Sequence, residues 1–238
     1  MWLPFMNAKI IRIFFKKSWH VSEVRLQGGV YIYKNQISFA ANTTKFSIPM
    51  DQQSPFFARY ASGRNLLILL AFYLFFVTYA LPHAAQALQE ASGQPDFKPL
   101  DLHFGFSPEE AWQSLEALGP AGREQYRFTE TVTDIFYPLT YGLFFALLLV
   151  MGFRKTGGRL ARMSWLAWFP LVAILFDYME NFGIVQLIDA FPANADGWAL
   201  FAALTGQIKW ICALIGVAGC LIGLVGWMLA EWKARSGK

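Results

Sequence analysis

Four long apolar segments constrain this chain more than any other feature of its sequence. They cover about residues 65–88, 127–153, 164–188 and 198–227, and each is long enough for a bilayer core that needs about 20 apolar residues. Only 15% of the residues are charged, against about 25% in soluble domains. These segments predict an all-α integral membrane protein in which four transmembrane helices form an up-down bundle.

The charges at the ends of these segments predict the topology. The connection after the second segment is basic and carries no acid, and the last residues of the chain are also basic. The cations concerned are Arg154, Lys155, Arg159, Arg162, Lys233, Arg235 and Lys238. Because cytoplasmic connections are enriched in lysine and arginine, we expect both termini in the cytoplasm and the protein in a bacterial inner membrane.

Residues 1–49 differ from the rest of the chain, because they are basic and hold a single acid, Glu23. Within them, the alternating run around Gly28 and Gly29 is typical of a β-hairpin. Residues 50–238 form the four-helix membrane domain, and Met50 offers a second start for translation. We favour the hypothesis that residues 1–49 are an extension upstream of the true start, and a small cytoplasmic β appendage is the alternative.

An acidic connection separates the first two apolar segments. Within it, Ser107 can cap a helix that has Pro108 at its first position and Glu110 at its third. This pattern predicts a short extracytoplasmic helix over residues 108–118, ended by Gly119 and the proline after it. The first apolar segment is either retained, which we favour, or cleaved as a signal peptide, because Ala-Gln-Ala near its end has the form of a cleavage site.

The third apolar segment carries Asp177, Glu180 and Asn181, whose spacing of i, i+3 and i+4 places them on one helical face. Ionisable groups at bilayer depth are costly and mark a functional site or a buried pairing partner. A rise of about 1.5 Å per residue puts six polar residues of three helices in one polar layer, in the outer half of the membrane. They are Asp134, Asp177, Glu180, Asn181, Gln207 and Lys209.

The helical period also predicts which faces point inward. A polar stripe on helix two contains Glu130, Asp134, Tyr137 and Tyr141, of which Asp134 and Tyr141 are candidate site residues. On helix four, Lys209 shares its face with small residues that let helix backbones approach closely in lipid. Those packing residues are Gly216, Gly219 and Gly223. We therefore expect Lys209 to pair with acids inside the bundle; its alternative is to extend toward the membrane surface.

One lysine cannot neutralise Asp134, Asp177 and Glu180 together, so either a carboxyl group is protonated or a cation binds. We favour a structural or accessory role in which the polar layer fixes helix packing. Two alternatives remain: a membrane-embedded metal-dependent enzyme acting at the outer face, and a proton- or cation-coupled transport component. The candidate metal ligands are Asp134, Asp177, Glu180, His83 and His103. No spacing such as His-Glu-x-x-His supports a metal site.

The sequence carries no heme, flavin or nucleotide signature, and no histidine lies in the middle of an apolar segment. It also lacks the basic stripe, interleaved with aromatic residues, that is typical of nucleic-acid binding. The predicted partners are therefore the lipid bilayer and either a second copy of the chain or another membrane protein.

Two stretches carry a family resemblance. Residues 104–142 contain FGFSPEEAWQSLEALGPAGREQY and TDIFYPLTYG, and the third segment contains FDYMEN. Together they resemble a family of uncharacterised bacterial four-helix integral membrane proteins, over the region from helix one to helix four. The resemblance implies the four-helix bundle, and it carries over no catalytic residue because no activity is established for that family.

Overall fold

The computed structural model describes residues 59–236, of which 89% are helical and none lies in a strand. Four helices are long and apolar enough to cross a membrane. They are α1 (Gly63–Ser92), α2 (Pro108–Thr156), α3 (Arg159–Ala190) and α4 (Asp196–Ser236). The prediction of an all-helical, multi-pass membrane protein is confirmed on these grounds. The predicted extension and hairpin of residues 1–49 lie outside the described residues.

Helix α1 lies at the edge of the bundle. It begins after the capping residue Ser62, contains a π turn at Phe76–Ala80 and ends at Gly93, which adopts φ 67°. Tyr73 stacks on Phe144 of α2, with 5.4 Å between the ring centroids. Most of its other large apolar side chains are exposed, as expected for a helix in contact with lipid.

Helix α2 starts where the Ser-Pro-Glu-Glu pattern predicts. The Ser107 side chain accepts a hydrogen bond from the backbone N–H of Glu110 (3.2 Å), whose carboxylate accepts one from the Ser107 N–H (2.7 Å). Helical geometry is interrupted at Gly119 (φ 63°, ψ 178°), and a second helical piece of α2 starts at Pro120. Glycine adopts positive φ at little cost, and proline suits a first helical turn. The break falls where the sequence predicts the end of the helix over residues 108–118, and the extracytoplasmic location of this piece stays a prediction.

A second irregularity in α2 lies at the level of the polar residues. The helix widens into a π turn at Thr129–Thr133, and the next residue, Asp134, has φ −84° and ψ 7°. Single π turns inside α-helices occur frequently at functional sites. The π turn also shifts the side chains that follow it relative to an ideal α-helical stripe.

Helix α4 packs against α2 and α3 through glycines of the predicted packing face. A Cβ on Gly152 of α2 would lie 3.4 Å from the Cα of Gly223, so the two backbones are in close contact. Gly216 faces the ring of Pro170 on α3, and Gly219 faces Leu149 on α2. These glycines bring three helices close enough for their polar side chains to meet.

Two apolar clusters lie toward opposite ends of the bundle. The first includes Leu88, Leu100, Leu115, Leu118, Ile184, Leu187 and Ala202. The second includes Leu147, Leu149, Val150, Phe153, Leu166 and Cys220. Along α3 and α4, the buried charged residues fall between members of these two clusters. The buried charged residues of α3 and α4 therefore lie between two apolar layers.

Candidate functional site

Five carboxylates from three parts of the chain gather around one lysine. Asp101 lies in a 3-10 turn, Leu100–Leu102, between α1 and α2. The other members come from α2, α3 and α4. The group consists of Asp101, Glu130, Asp134, Asp177 and Glu180 with Lys209, and we call it the carboxylate cluster.

Lys209 forms the centre of one side of the cluster. The residue is only 8% exposed, and its ammonium group forms ion pairs with Glu180 and with Asp177 Oδ1, the latter at 3.7 Å. The same group donates a hydrogen bond to the backbone oxygen of Asp101 at 3.2 Å. Lys209 thus points into the bundle, as its helix face predicts, and both of its acidic partners come from α3. Removing one partner of such a buried pair leaves an uncompensated charge.

Glu180 is fully buried, and its carboxylate occupies the space left by the missing side chain of Gly206 on α4. A Cβ on Gly206 would overlap Oε1 of Glu180, so any larger residue at that position would displace the carboxylate. Within residues 59–236, no hydrogen-bond donor reaches Oε1 of Glu180. Its ion pair with Lys209 is therefore the main interaction that offsets its burial.

Asp177 and Asn181 connect α3 to α2. The hydroxyl of Tyr141 donates to Asp177 Oδ2 at 2.8 Å. With the Asn181 amide assigned so that its nitrogen faces Glu130, it donates to Glu130 Oε2 at 3.1 Å and to the backbone oxygen of Asp177 at 3.1 Å. In the opposite assignment the nitrogen lies 3.5 Å from the backbone oxygen of Asp134. In the first assignment, Asn181 orients Glu130 and links the two sides of the cluster.

The second side of the cluster consists of Asp101, Glu130 and Asp134. One oxygen from each carboxylate lies within 4.8 Å of the other two. Glu130 is 3% exposed, Asp134 is buried and Asp101 is partly exposed. Oε1 of Glu130 is buried and has no hydrogen-bond partner in the part of the chain that the structure describes. This side therefore has closely spaced anionic oxygens and an unsatisfied acceptor.

Asp101 is held in position by a tyrosine of α2. The hydroxyl of Tyr126 accepts a hydrogen bond from the backbone N–H of Leu100 at 2.9 Å and donates one to Asp101 Oδ1 at 3.1 Å. Tyr126 itself is only 1% exposed. Together with the contact from Lys209, these bonds fix the turn that carries Asp101 against the bundle.

Most of the polar residues predicted from the sequence lie together. Those in or against the carboxylate cluster are Asp134, Tyr141, Asp177, Glu180, Asn181 and Lys209. Gln207 lies elsewhere, with its amide against Gly105 in the connection before α2. His83 is exposed on α1 and packs on Tyr79, with 4.2 Å between ring centroids. His103 lines a surface groove with Phe106 and Glu110. Neither histidine lies among the three close carboxylates.

Sequence reasoning did not place Asp101 and Glu130 in the site. Glu130 belonged to the predicted polar stripe, and its i, i+4 spacing to Asp134 was the signal that could have included it. Asp101 lies in an irregular segment, where no periodicity relates sequence position to depth. Its contact with α4 spans 108 residues of sequence and had no local signal.

No protein family matches this chain, and no curated protein or solved structure matches it either. The fold and the site define its class from the structure alone. It is an all-helical multi-pass membrane protein with a buried carboxylate cluster.

Proposed function

We propose that the protein binds a cation in the carboxylate cluster. The observation that carries the proposal is the imbalance of charge: five carboxylates and one ammonium group give −5 and +1, a net formal charge of −4. Burying an ionised group without compensation costs several kcal/mol or more, so this charge must be neutralised. A bound divalent cation lowers this formal charge from −4 to −2, and it also supplies a partner for the buried Oε1 of Glu130.

Protons are the other way to neutralise the cluster, since each carboxylate can take up its own proton. The spacing of Asp101, Glu130 and Asp134 also suits a cation, because one oxygen from each of these carboxylates lies within 4.8 Å of both others. A metal ion accepts several oxygen ligands at once. A cation-binding site is also what both a metal-dependent enzyme and a cation-coupled transport component would require.

A structural role is the second candidate, and one observation favours it. Lys209 contacts Asp177, Glu180 and the backbone of Asp101, so it ties α4 to α3 and to the connection between α1 and α2. Buried ionic groups can specify one packing arrangement without taking part in chemistry. This role accounts for the side of the cluster around Lys209, but it leaves the side around Glu130 without a counter-charge.

The experiment for cation binding uses the full chain in lipid nanodiscs. The protein is stripped with a chelator and dialysed to equilibrium against single cations: Mg²⁺, Mn²⁺, Ca²⁺, Zn²⁺, Na⁺ and K⁺. Elemental analysis should find about one cation per chain for at least one of them, and a Glu130→Gln/Asp134→Asn double variant should bind less. Wild-type protein that holds no cation above the buffer background in any of the six would overturn the proposal and leave the structural role.

We also propose a topology, with both termini in the cytoplasm of a bacterial cell and the carboxylate cluster in the outer half of the inner membrane. The basic residues between α2 and α3 and at the end of α4 support this orientation. The native cysteines, Cys212 and Cys220, are buried, so single surface cysteines can report it. In intact cells, an impermeant maleimide should label Gln94→Cys and should label Lys155→Cys only after lysis. The reverse pattern would contradict the orientation.

A further inference from the structure

The geometry points to the identity of the ligands and the class of the ion. We propose that Asp101, Glu130 and Asp134 hold a divalent, oxygen-preferring metal ion of the Mg²⁺, Mn²⁺ and Ca²⁺ class. This inference rests on the proposed function and adds to it a defined site. It also implies that the ion joins the connection between α1 and α2 to the membrane helix α2, because Asp101 comes from that connection.

The chemistry of the donors selects the class of ion. All three donors are carboxylates, and neither sulfur nor imidazole nitrogen belongs to this group within residues 59–236. Carboxylate oxygens are the ligands of hard divalent ions, whereas thiolates and imidazoles select softer metals. Oxygen ligands at about 2.0–2.6 Å from one ion lie at most about 4–5 Å apart, so the separation of up to 4.8 Å suits a shared ion.

An independent observation at Glu130 points to a ligand. This side chain is 97% buried, since only 3% is exposed, and its Oε1 has no partner in the described part of the chain. Its other oxygen, Oε2, accepts the hydrogen bond from Asn181. One oxygen of the Glu130 carboxylate is therefore without a hydrogen-bond partner among the described residues, and this carboxylate has an oxygen within 4.8 Å of oxygens of Asp101 and Asp134.

The neighbouring side chains support the three ligands as outer-shell groups do in metal sites. Tyr126 donates to Oδ1 of Asp101, and Asn181 donates to Oε2 of Glu130. Such contacts fix the orientation of ligating carboxylates and contribute to metal affinity. Asp134 is placed by the backbone, because it follows the π turn of α2 directly.

Lys209 distinguishes the two sides of the cluster by charge, because its ion pairs are with Asp177 and Glu180. These two acids therefore share one positive charge without a metal and keep a formal charge of −1. The three remaining carboxylates have a formal charge of −3, which a divalent ion reduces to −1. Because Asp101 is partly exposed, water can reach the site from its side and complete the coordination of the ion.

Titration with Mn²⁺ tests the site in the full chain. The affinity is measured by calorimetry and by electron paramagnetic resonance for wild type and for Asp101→Asn, Glu130→Gln and Asp134→Asn. Each of these variants should weaken binding by about 10-fold or more, because each removes an anionic ligand. Asp96→Asn and Asp189→Asn serve as controls, since both carboxylates lie outside the cluster, and their affinities should stay within about twofold of wild type.

The outcomes separate this inference from the proposed function. If Mn²⁺ binds but only Asp177→Asn or Glu180→Gln weakens it, the assigned ligands are wrong while cation binding stands. If Na⁺ or K⁺ displaces Mn²⁺ at equal concentration, the assigned class of ion is wrong. If no cation binds at all, both proposals fail.

A second measurement on wild-type protein covers the case in which the variants do not fold. Because the ion would hold the Leu100–Leu102 turn against α2, Mn²⁺ at 100 times its dissociation constant should slow amide exchange in this turn, by up to about 100-fold. Exchange at the C-terminal end of α4 should not change. Unchanged exchange in the turn at saturating Mn²⁺ would overturn the inference.

Discussion

Lys209 donates a hydrogen bond to the backbone oxygen of Asp101 across 3.2 Å, although the two residues are 108 positions apart. The same ammonium group pairs with Asp177 and Glu180 on α3. One side chain therefore joins two membrane helices to the connection between α1 and α2. Substitutions of Lys209 and its neighbours can therefore show which residues of the cluster stabilise the fold and which are needed for the proposed cation binding.

Replacing Lys209 should destabilise the protein strongly. Lys209→Met leaves Asp177 and Glu180 buried without a counter-charge, and breaking a buried pair in this way costs about 3–5 kcal/mol. The free energy of unfolding in mixed micelles, measured by titration with sodium dodecyl sulfate, reports the loss. Lys155→Met, at an exposed lysine, is the control and should change it by less than about 0.5 kcal/mol.

Neutralising the acids should rescue the Lys209 variant. The triple variant Lys209→Met/Asp177→Asn/Glu180→Gln has no buried unpaired charge on this side of the cluster, so it should recover most of the lost stability. If Lys209→Met costs under about 1 kcal/mol, or if the triple variant is no more stable than the single one, the ion pairs do not have the assigned role.

Gly206 tests the space that Glu180 occupies. In Gly206→Ala the new Cβ would collide with the Glu180 carboxylate, so we expect a loss of about 1–3 kcal/mol despite the better helix propensity of alanine. Gly197→Ala on the same helix is the matched control, because a Cβ there has no neighbour within 4 Å. Its stability should equal or exceed wild type in the same unfolding titration. Equal effects of the two substitutions would show that Glu180 does not lie against Gly206.

The hydroxyl of Tyr141 should stabilise the protein through Asp177. Tyr141→Phe removes the 2.8 Å hydrogen bond and leaves a buried acceptor, at a cost of about 1–3 kcal/mol. Tyr137→Phe is the control: this ring lies beside Tyr141, but its hydroxyl makes no hydrogen bond to another residue of the described segment. The account fails here if the two phenylalanine variants unfold at the same detergent concentration.

Tyr126 should hold the Asp101 turn in place. Tyr126→Phe removes the acceptor for the Leu100 N–H and the donor to Asp101 Oδ1, so amide exchange in the turn should become faster. If Asp101 is a metal ligand, the same variant should weaken Mn²⁺ binding by about 10–100-fold, the usual effect of losing an outer-shell contact. Tyr178→Phe is the control, because the hydroxyl of Tyr178 donates to the backbone oxygen of Ile135 and not to the turn. This variant should change neither the amide exchange of the turn nor the affinity for Mn²⁺.

The regular parts of this structure could be predicted from the sequence for a physical reason. A helix has a constant rise and period, so the depth and the face of Asp177, Glu180 and Lys209 follow from counting residues. The ion pairs of Lys209 with both acids agree with that count. The glycines of α4 could likewise be read as a packing face, because small residues at helical spacing allow close approach in lipid.

The features that the sequence did not predict arise where the chain departs from regular helical geometry. The π turn before Asp134 alters α2 locally and has no periodic signal in the sequence, whereas the break at Gly119 follows from the Gly-Pro pair that the sequence shows. Asp101 reaches the cluster because the segment between α1 and α2 folds back onto the bundle, which is a long-range packing event. The half of the cluster that lacks a counter-charge was therefore the half that sequence reasoning described least completely.

The most direct test of the account is the position of a bound metal ion. A crystal of the full chain soaked in Mn²⁺ and measured at the manganese absorption edge would locate it through anomalous scattering. We predict one strong peak within about 2.0–2.6 Å of carboxylate oxygens from Asp101, Glu130 and Asp134. Two results would contradict this prediction. One is a peak beside Asp177 and Glu180, at the position of the Lys209 ammonium group, and the other is no peak inside the bundle at saturating Mn²⁺.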